Sequence, residues 1–161
     1  MKWSEWLDNW GMTVLKIKTP FLDAEWKPQE QDKVAAWQLY VELLTRVTTQ
    51  RLEVRDGDEY AALESIHQMF PITRDILKEN GRHCLEFTKI AAVVLNQIIR
   101  PFTSKWHPVA KRKGFDKDQQ CCLEFREDLS SLQDQLTIYT RMLSDMAGVE
   151  DLTELEASDE S

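Results

Sequence analysis

The sequence predicts an all-α protein, a bundle of four or five helices with a Trp-rich N-terminal segment packed on it. Apolar residues recur at intervals of three and four along most of the chain, which is the spacing of one helical face. Only 5 Gly and 5 Pro occur in 161 residues, too few for the many turns of a β-sandwich. A hydrophobic content of 42% and a charged content of 30% are typical of one globular domain.

Residues 1–28 are predicted to form a short helix followed by a wrapping loop. Three tryptophans spaced three and four residues apart lie on one face of that helix: Trp3, Trp6 and Trp10. Pro20 and Pro28 disfavour helical geometry, so the residues around them are expected to form the loop. The tryptophan face has two interpretations. It anchors another protein, because Trp is enriched at interface hot spots, or it folds back over one end of the bundle.

Residues 29–149 are predicted to form the bundle itself. The first long helix is expected to span about 29–52. Its apolar residues repeat at three and four and are expected to face the core: Val34, Trp37, Val41, Leu44 and Thr48, with Tyr40, Leu43 and Val47 widening the stripe. Asp58 follows a turn and is a suitable N-cap for a second helix. A further helix is expected to begin at Pro71 and to end at Gly81.

Residues 82–99 are predicted to form a central, buried helix, because the end of this segment is apolar on nearly all sides. Pro101 cannot donate a backbone hydrogen bond to the preceding turn, so a kink or a restart is expected there. Pro108 disfavours helical geometry at His107, so the continuation is expected to end near Trp106.

The last helix has the clearest pattern, with apolar residues alternating at three and four over more than three heptads. The stripe consists of Cys122, Phe125, Leu129, Leu132, Leu136, Tyr139, Leu143 and Met146. Asp116 or Asp118 is expected to cap its start, and Gly148 its end. Residues 150–161 hold six acids and no base, and this acidic tail has too few apolar residues to fold alone.

The formal net charge of −8 disfavours nucleic-acid binding over the whole surface, because phosphate contacts need concentrated Lys and Arg. It also disfavours adsorption to anionic membranes. The longest apolar stretch is shorter than the roughly 20 residues of a membrane span. The N-terminus lacks the apolar segment of a secretory signal, and the three cysteines are an odd number. We therefore expect a cytoplasmic protein with free thiols.

No metal or cofactor is predicted. The histidines and cysteines lack the close spacings of zinc ligands, although a site built across helices from His83, Cys84 and Cys122 is conceivable. The five glycines are too far apart to form a phosphate-binding loop. The Gly-x-Ser-x-Gly motif of a hydrolase is missing as well.

Arg100 and His107 could carry chemistry, because residues seven apart on a continuous helix lie on nearly the same face. Arginine binds phosphate with two parallel hydrogen bonds, and histidine transfers protons near neutral pH. This Arg-x6-His spacing resembles that of the HEPN ribonucleases, helical and usually dimeric proteins with Arg-x4-6-His late in a helix. The resemblance implies metal-independent RNA cleavage by these two residues. The chain departs from the family at Pro101, where a polar residue is typical, and a helix broken there would separate the pair.

A second resemblance covers about 55 residues, and it is to a module in uncharacterised bacterial proteins, some of which carry N-terminal membrane helices. The shared residues are Leu95-Asn96, Arg100-Pro101-Phe102, Lys105-Trp106-His107-Pro108, Phe125-Arg126, Leu132-Gln133, Tyr139 and Ala147-Gly148-Val149. The resemblance implies a bacterial origin and a recurring structural unit.

The sequence thus favours a noncatalytic helical protein-interaction or regulatory module, a subunit of a larger bacterial assembly or a self-associating protein. The predicted partner-binding residues are Trp3, Trp6, Trp10, Lys105 and Trp106. One alternative is a metal-independent HEPN-like RNase or toxin that uses Arg100 and His107. Another is an accessory subunit of a phage-defence system, which rests on analogy.

Overall fold

The computed structural model describes residues 1–12, 20–46, 58–112, 114–115 and 118–157. Seven α-helices lie within them: α1 (Trp3–Asn9), α2 (Glu30–Leu44), α3 (Glu59–His67), α4 (Met69–Asn80), α5 (Leu85–Val93), α6 (Arg100–Arg112) and α7 (Gln119–Ala147). A π-helical segment, Val94–Ile99, joins α5 to α6, and the short 3-10 helices are Gly81–His83 and Thr153–Ala157. The described residues contain no β-strand, only a single bridge between Lys2 and Glu25. The prediction of an all-α fold is confirmed.

Helices α2 and α7 pack along each other at the centre of the bundle. On α7, the predicted stripe is buried except for Cys122, which is half-buried. The Asp118 carboxylate caps the helix by accepting hydrogen bonds from the backbone N–H of Gln120 and Cys121, at 3.1 and 3.2 Å. Gly148 ends it with a φ of +70°, a left-handed conformation that favours glycine. Full burial of each large apolar side chain contributes about 1.5–3 kcal/mol, so the buried stripe of α7 contributes strongly to core stability.

Helix α2 buries one edge of the predicted stripe, Tyr40 and Leu43, together with residues outside that stripe. Val34, Trp37 and Val41 are exposed, and the core-facing residues are Ala35, Ala36, Leu39, Tyr40 and Leu43. The helix is apolar on more than one side, so the spacing of its apolar residues does not determine which side is buried. The alanines let α2 approach its neighbours closely, whereas Trp37 on that face would hold them apart. Helix α2 ends at Leu44, and Val47 and Thr48 lie outside the described residues.

Asp32 ties the start of α2 to the start of α5, although its side chain is fully buried. One carboxylate oxygen accepts a hydrogen bond of 2.7 Å from the backbone N–H of Gln29. The other accepts one of 3.0 Å from the backbone N–H of Phe87. A buried carboxylate is tolerated when its oxygens are hydrogen-bonded, so Asp32 satisfies unpaired N–H groups at two helix starts.

The tryptophan face of α1 folds back on the bundle. Trp3 and Trp6 are fully buried, and their indole N–H groups donate hydrogen bonds of 2.7 and 2.8 Å to Glu86 and Asp145. The Trp6 ring also stacks on that of Trp26, with centroids 4.9 Å apart. The partner-binding assignment of these two indoles is therefore corrected: large apolar rings with a polar N–H are more stable inside this core than on its surface. Trp10 is half-buried and packs against the same core.

The chain stays helical from α5 through the π-helical segment into α6, so the irregularity expected at Pro101 is a π-helical segment just before it and not a break in the helix. Arg100 has helical backbone angles, and its N–H donates to the carbonyl of Leu95, five residues back. The wider turn of a π-helix changes the hydrogen-bond register just before Pro101, where a backbone donor is missing. Pro108 also lies within α6, which continues past His107 to Arg112.

The first part of the acidic segment 150–161 packs against the bundle. The Leu152 N–H donates a hydrogen bond of 2.7 Å to the hydroxyl of Tyr40 on α2. Thr153 is buried, and Asp151 lies 3.7 Å from the Arg141 guanidinium on α7. Among the helices that the structure describes, none combines the length and the hydropathy needed to cross a membrane.

Candidate functional site

An open pocket of about 430 Å³ lies where α3 and α4 face α6. Its lining residues are His67, Phe70, Arg74, Arg100, Thr103, Ser104, His107 and Pro108. The last residue of α3 supplies one imidazole, α4 supplies one guanidinium, and α6 supplies one of each. No carboxylate is among the described residues that line this pocket, although the chain as a whole carries a net charge of −8. The site is thus a local concentration of positive and hydrogen-bond-donating groups.

The continuous helix brings Arg100 and His107 to the same pocket. Seven residues span almost two turns of an α-helix, so the two side chains leave α6 on nearly the same side. The Arg-x6-His spacing places the two side chains together only on a continuous helix. The helix remains continuous through the π-helical segment before Pro101. The separation of the pair that was expected from the proline does not occur.

His67 and His107 meet edge to face, with ring centroids 4.8 Å apart. Burial lowers the pKa of His107, as do the charges of His67 and Lys111, while Glu64 opposes them. The ordinary pKa of histidine is about 6.5, so His107 is a neutral imidazole at pH 7. Its Nε2 is buried without a hydrogen-bond partner in the described part of the chain. A neutral imidazole donates one hydrogen bond through its N–H and accepts a proton or a hydrogen bond at the other nitrogen, and its tautomer decides which nitrogen does which.

The two arginines keep hydrogen-bond donors available. The Arg100 guanidinium lies over the ring of Phe70, 4.8 Å from its centroid, and its Nε donates to Asn96 at 3.2 Å. Stacking on an aromatic face holds the guanidinium plane while its terminal N–H groups stay available. Arg74 and Arg100 form no ion pair with the carboxylates that the structure describes. Both are exposed and can donate paired hydrogen bonds to an anion.

The sequence did not identify His67 or Arg74 as members of this site. His67 is forty positions from His107, and only the packing of α3 against α6 brings their rings together. Arg74 lies on the exposed side of an amphipathic helix, where an arginine is usual. No spacing in the sequence links these residues to Arg100.

The remaining predicted partner-binding residues, Lys105 and Trp106, attach α6 to α7. Trp106 is buried, and its indole N–H donates a hydrogen bond of 3.0 Å to Asp128. The Lys105 ammonium donates to the same carboxylate oxygen at 2.6 Å and lies 4.9 Å from the indole centroid. The assignment of Trp106 to a partner surface is therefore corrected, since its ring fills the core. Lys105 is exposed but paired within the chain.

The conceivable metal ligands lie in separate surroundings. The Cys84 thiol donates to the carbonyl of Gly81 at 3.1 Å, and the Cys122 thiol to that of Phe115 at 2.8 Å. His83 is exposed. Across the described residues, no group of three or more His, Cys, Asp or Glu side chains is arranged to hold a metal ion.

Comparison with known proteins finds no matching family model, no matching curated protein and no matching solved structure. The function is therefore inferred from the chain's own residues.

Proposed function

We propose that this protein is a noncatalytic regulatory module of a bacterial cytosol that binds an anionic group, a phosphate or a carboxylate, in the pocket between α4 and α6. One observation carries the proposal. Two arginines without an ion-pair partner among the described residues, Arg74 and Arg100, share a carboxylate-free pocket with His67 and His107. The free thiols of all three cysteines support a reducing compartment.

The local arrangement of donors favours anion binding despite the acidic chain. The net charge of −8 repels an anion at long range, but that repulsion is screened beyond about 8–10 Å at physiological salt. Inside the pocket, guanidinium groups on α4 and α6 can each offer two N–H donors to one oxyanion. We therefore expect binding of a compact anion through direct hydrogen bonds, with little attraction for a polyanion over the rest of the surface.

The three histidines make a direct test possible, because His67 and His107 line the pocket and His83 does not. Inorganic phosphate and acetate would be titrated separately while the imidazole C–H signals are followed by NMR. Binding of either anion should shift the signals of His67 and His107 and leave that of His83 unchanged. Equal shifts of all three signals, or no saturable shift with either anion, would contradict the proposal.

Three arginine variants provide the matched comparison. Arg74→Gln and Arg100→Gln should each weaken anion binding by about tenfold or more, the loss expected for one charge-assisted hydrogen bond. Arg82→Gln removes the same charge from an exposed position outside the pocket and should bind as the parent does. Retained binding in both pocket variants would show that the anion binds elsewhere.

A second candidate function is metal-independent RNA cleavage, favoured by the continuous helix that aligns Arg100 with a neutral His107. A neutral imidazole can remove the proton of a 2′-hydroxyl, whose oxygen then bonds to phosphorus as the bond to the 5′-oxygen breaks. The imidazolium can return the proton to that leaving oxygen, and a guanidinium can stabilise the negative charge on the phosphorane oxygens. The test is incubation with mixed RNA in EDTA. Cleavage that is lost in both Arg100→Ala and His107→Ala would establish this activity, whereas anion binding without cleavage supports the noncatalytic module.

A further inference from the structure

Helix α2 presents an apolar face to solvent. Val34, Trp37 and Val41 are 43%, 46% and 38% exposed, and their spacing of three and four places them along one side of the helix. A single exposed apolar residue is ordinary, but three in line, including a tryptophan, form a contiguous patch. Such patches, when rimmed by polar residues, are typical of sites that bind another protein.

The patch continues into a groove between α2 and α4 of about 380 Å³. Trp37 and Val41 form the α2 side, while Ile72 and Ile76 form the α4 side. The rim consists of Gln38, Glu42, Asp75 and Glu79. Among the described residues that line it, three are acidic and none is basic, so the groove combines an apolar centre with a negative edge.

Hydrogen bonds between the two helices hold the groove in place. The Asn80 side chain on α4 donates to Gln38 on α2 at 2.7 Å, and it accepts a hydrogen bond from Gln31. A second link runs from the Gln38 amide to Glu79 at 3.4 Å. Because both walls are fixed by these contacts, a ligand would meet a surface that is already formed, which lowers the entropy cost of binding.

The charges on the rim identify the kind of occupant. Glu42 pairs with Arg46 at 2.8 Å. Asp75 and Glu79 are exposed and form no ion pair within the part of the chain that the structure describes. Lysine or arginine side chains on a ligand would be attracted to these two carboxylates, and acidic ones would be repelled. An apolar groove between two helices fits the apolar face of a third helix.

We propose that the α2–α4 groove binds a basic amphipathic helix of a partner protein, with bulky apolar side chains against Trp37 and Val41 and with Lys or Arg beside Asp75 and Glu79. This surface is separate from the pocket between α4 and α6 and requires no anion bound there. Either proposal can therefore fail without the other.

The probe is a pair of fluorescent 18-residue helical peptides with the same leucine pattern, one with lysine and one with glutamate at every polar position. Fluorescence anisotropy would measure their binding to the intact chain. We expect the Leu–Lys peptide to bind at least about tenfold more tightly than the Leu–Glu peptide, a difference of about 1.4 kcal/mol. Equal affinities would overturn the proposal.

Two variants test the groove itself, each with a control on α7. Trp37→Ala should weaken Leu–Lys binding by about tenfold or more, as for a hot-spot aromatic residue, whereas Leu123→Ala removes a comparably exposed apolar side chain elsewhere and should change nothing. Glu79→Gln should weaken binding and reduce its salt dependence. Glu127→Gln, an equal charge change at an exposed site, should have no effect.

Sedimentation of the unliganded chain tests the alternative that a second copy of this chain, and not a helix of another protein, occupies the groove. We expect a monomer at micromolar concentration, with Trp37 accessible to the peptide. Peptide binding that survives Trp37→Ala would overturn the proposal, provided that thermal melting shows the variant to be folded. A dimer that dissociates on Trp37→Ala would also overturn it, because the occupant would then be a second copy of the chain.

Discussion

Arg74 and Asp75 are consecutive residues of α4, yet they line two different pockets of opposite charge. Neighbouring residues on an α-helix point about 100° apart, so one helix can form a wall of each pocket. The arginine faces the cationic pocket shared with α6, and the aspartate faces the acidic groove shared with α2. A chain of net charge −8 thereby presents a cationic pocket and an acidic groove along two sides of one helix.

This arrangement predicts that the two sites can be disabled independently. Arg74→Gln should reduce phosphate or acetate binding and leave Leu–Lys peptide binding within about twofold, while Asp75→Asn should do the reverse. Both residues are exposed, so neither change should shift stability by more than about 0.5 kcal/mol. NMR titrations measure the anion affinity of each variant, and anisotropy titrations measure its peptide affinity. A loss of both activities in either variant would mean that α4 had been disturbed as a whole.

The second prediction concerns pH. Because burial lowers the pKa of His107 in the folded chain, the unfolded chain binds this proton first as pH falls below about 6.5. His107 therefore contributes little pH dependence well above that value, and stability should fall as the pH drops through it. Melting temperatures between pH 7.5 and 5.5 measure the loss, which His107→Gln should reduce. His83→Gln, at an exposed position, should retain the full dependence.

An anion in the pocket should partly reverse the lowering of the His107 pKa. Phosphate or acetate near His107 favours the charged imidazole, so saturating anion should raise the pKa measured from its C–H signal. If the His107 pKa is unchanged at an anion concentration that saturates the NMR signal shifts, the anion must bind away from this ring.

The third prediction concerns the N-terminal tryptophans. Trp6→Ala should lower the free energy of unfolding by about 3–5 kcal/mol, because it opens a cavity in the core and leaves Asp145 without the indole donor. Trp37→Ala removes the same side chain from an exposed position and should cost less than about 1 kcal/mol. Urea denaturation measures both. Equal costs would mean that the burial of Trp6 is not a source of stability.

The fourth prediction uses two leucines of α7. Leu132 is 3% exposed in the central stripe, whereas Leu123 is 52% exposed on the same helix. Leu132→Asp should destabilise the domain by about 3–5 kcal/mol or unfold it, since it leaves an unpaired charge in the core. Leu123→Asp should melt close to the parent. Circular dichroism melting of the two variants decides, and a folded Leu132→Asp protein of unchanged stability would refute the core position of the stripe.

The fifth prediction compares two glycines with the same kind of backbone. Gly114 and Gly148 have φ angles of +67° and +70°, so alanine is strained by about 1–2 kcal/mol at either position. A Cβ at Gly114 would also lie 2.7 Å from the Tyr60 hydroxyl, while one at Gly148 would meet no atom within 4 Å. That hydroxyl accepts a hydrogen bond from the Phe115 N–H. Gly114→Ala should therefore cost more than Gly148→Ala in the same denaturation experiment, and equal costs would show that Tyr60 moves freely.

The sequence predicted the features that depend on local periodicity and on the chemistry of helix ends. The stripe on α7 repeats at three and four for its whole length, so its buried face could be identified without tertiary information. The cap at Gly148 and the choice between Asp116 and Asp118 at the start of α7 follow from the groups left unpaired at helix ends and from the freedom of glycine at positive φ. The all-α class follows from the same patterns.

Some local sequence patterns were compatible with two structures, and only the folded structure shows which of them formed. Helix α2 is apolar on more than one face, and close approach placed its alanines inside and Trp37 outside. A proline at 101 indicates a break on average, but the π-helical turn before it let the helix continue. The face that α2 buries depends on neighbouring helices that no local pattern specifies.

The sequence identified Arg100 and His107 as candidate site residues but did not identify His67 or Arg74. Arg100 and His107 share one helix, so their spacing alone placed them on one face once that helix was continuous. His67 and Arg74 belong to α3 and α4, and only the packing of those helices against α6 added them to the pocket. Periodicity determines which residues share a helix face, because it acts within one element. The meeting of faces from different helices was decided by tertiary structure, because it depends on how every helix buries its apolar surface at once.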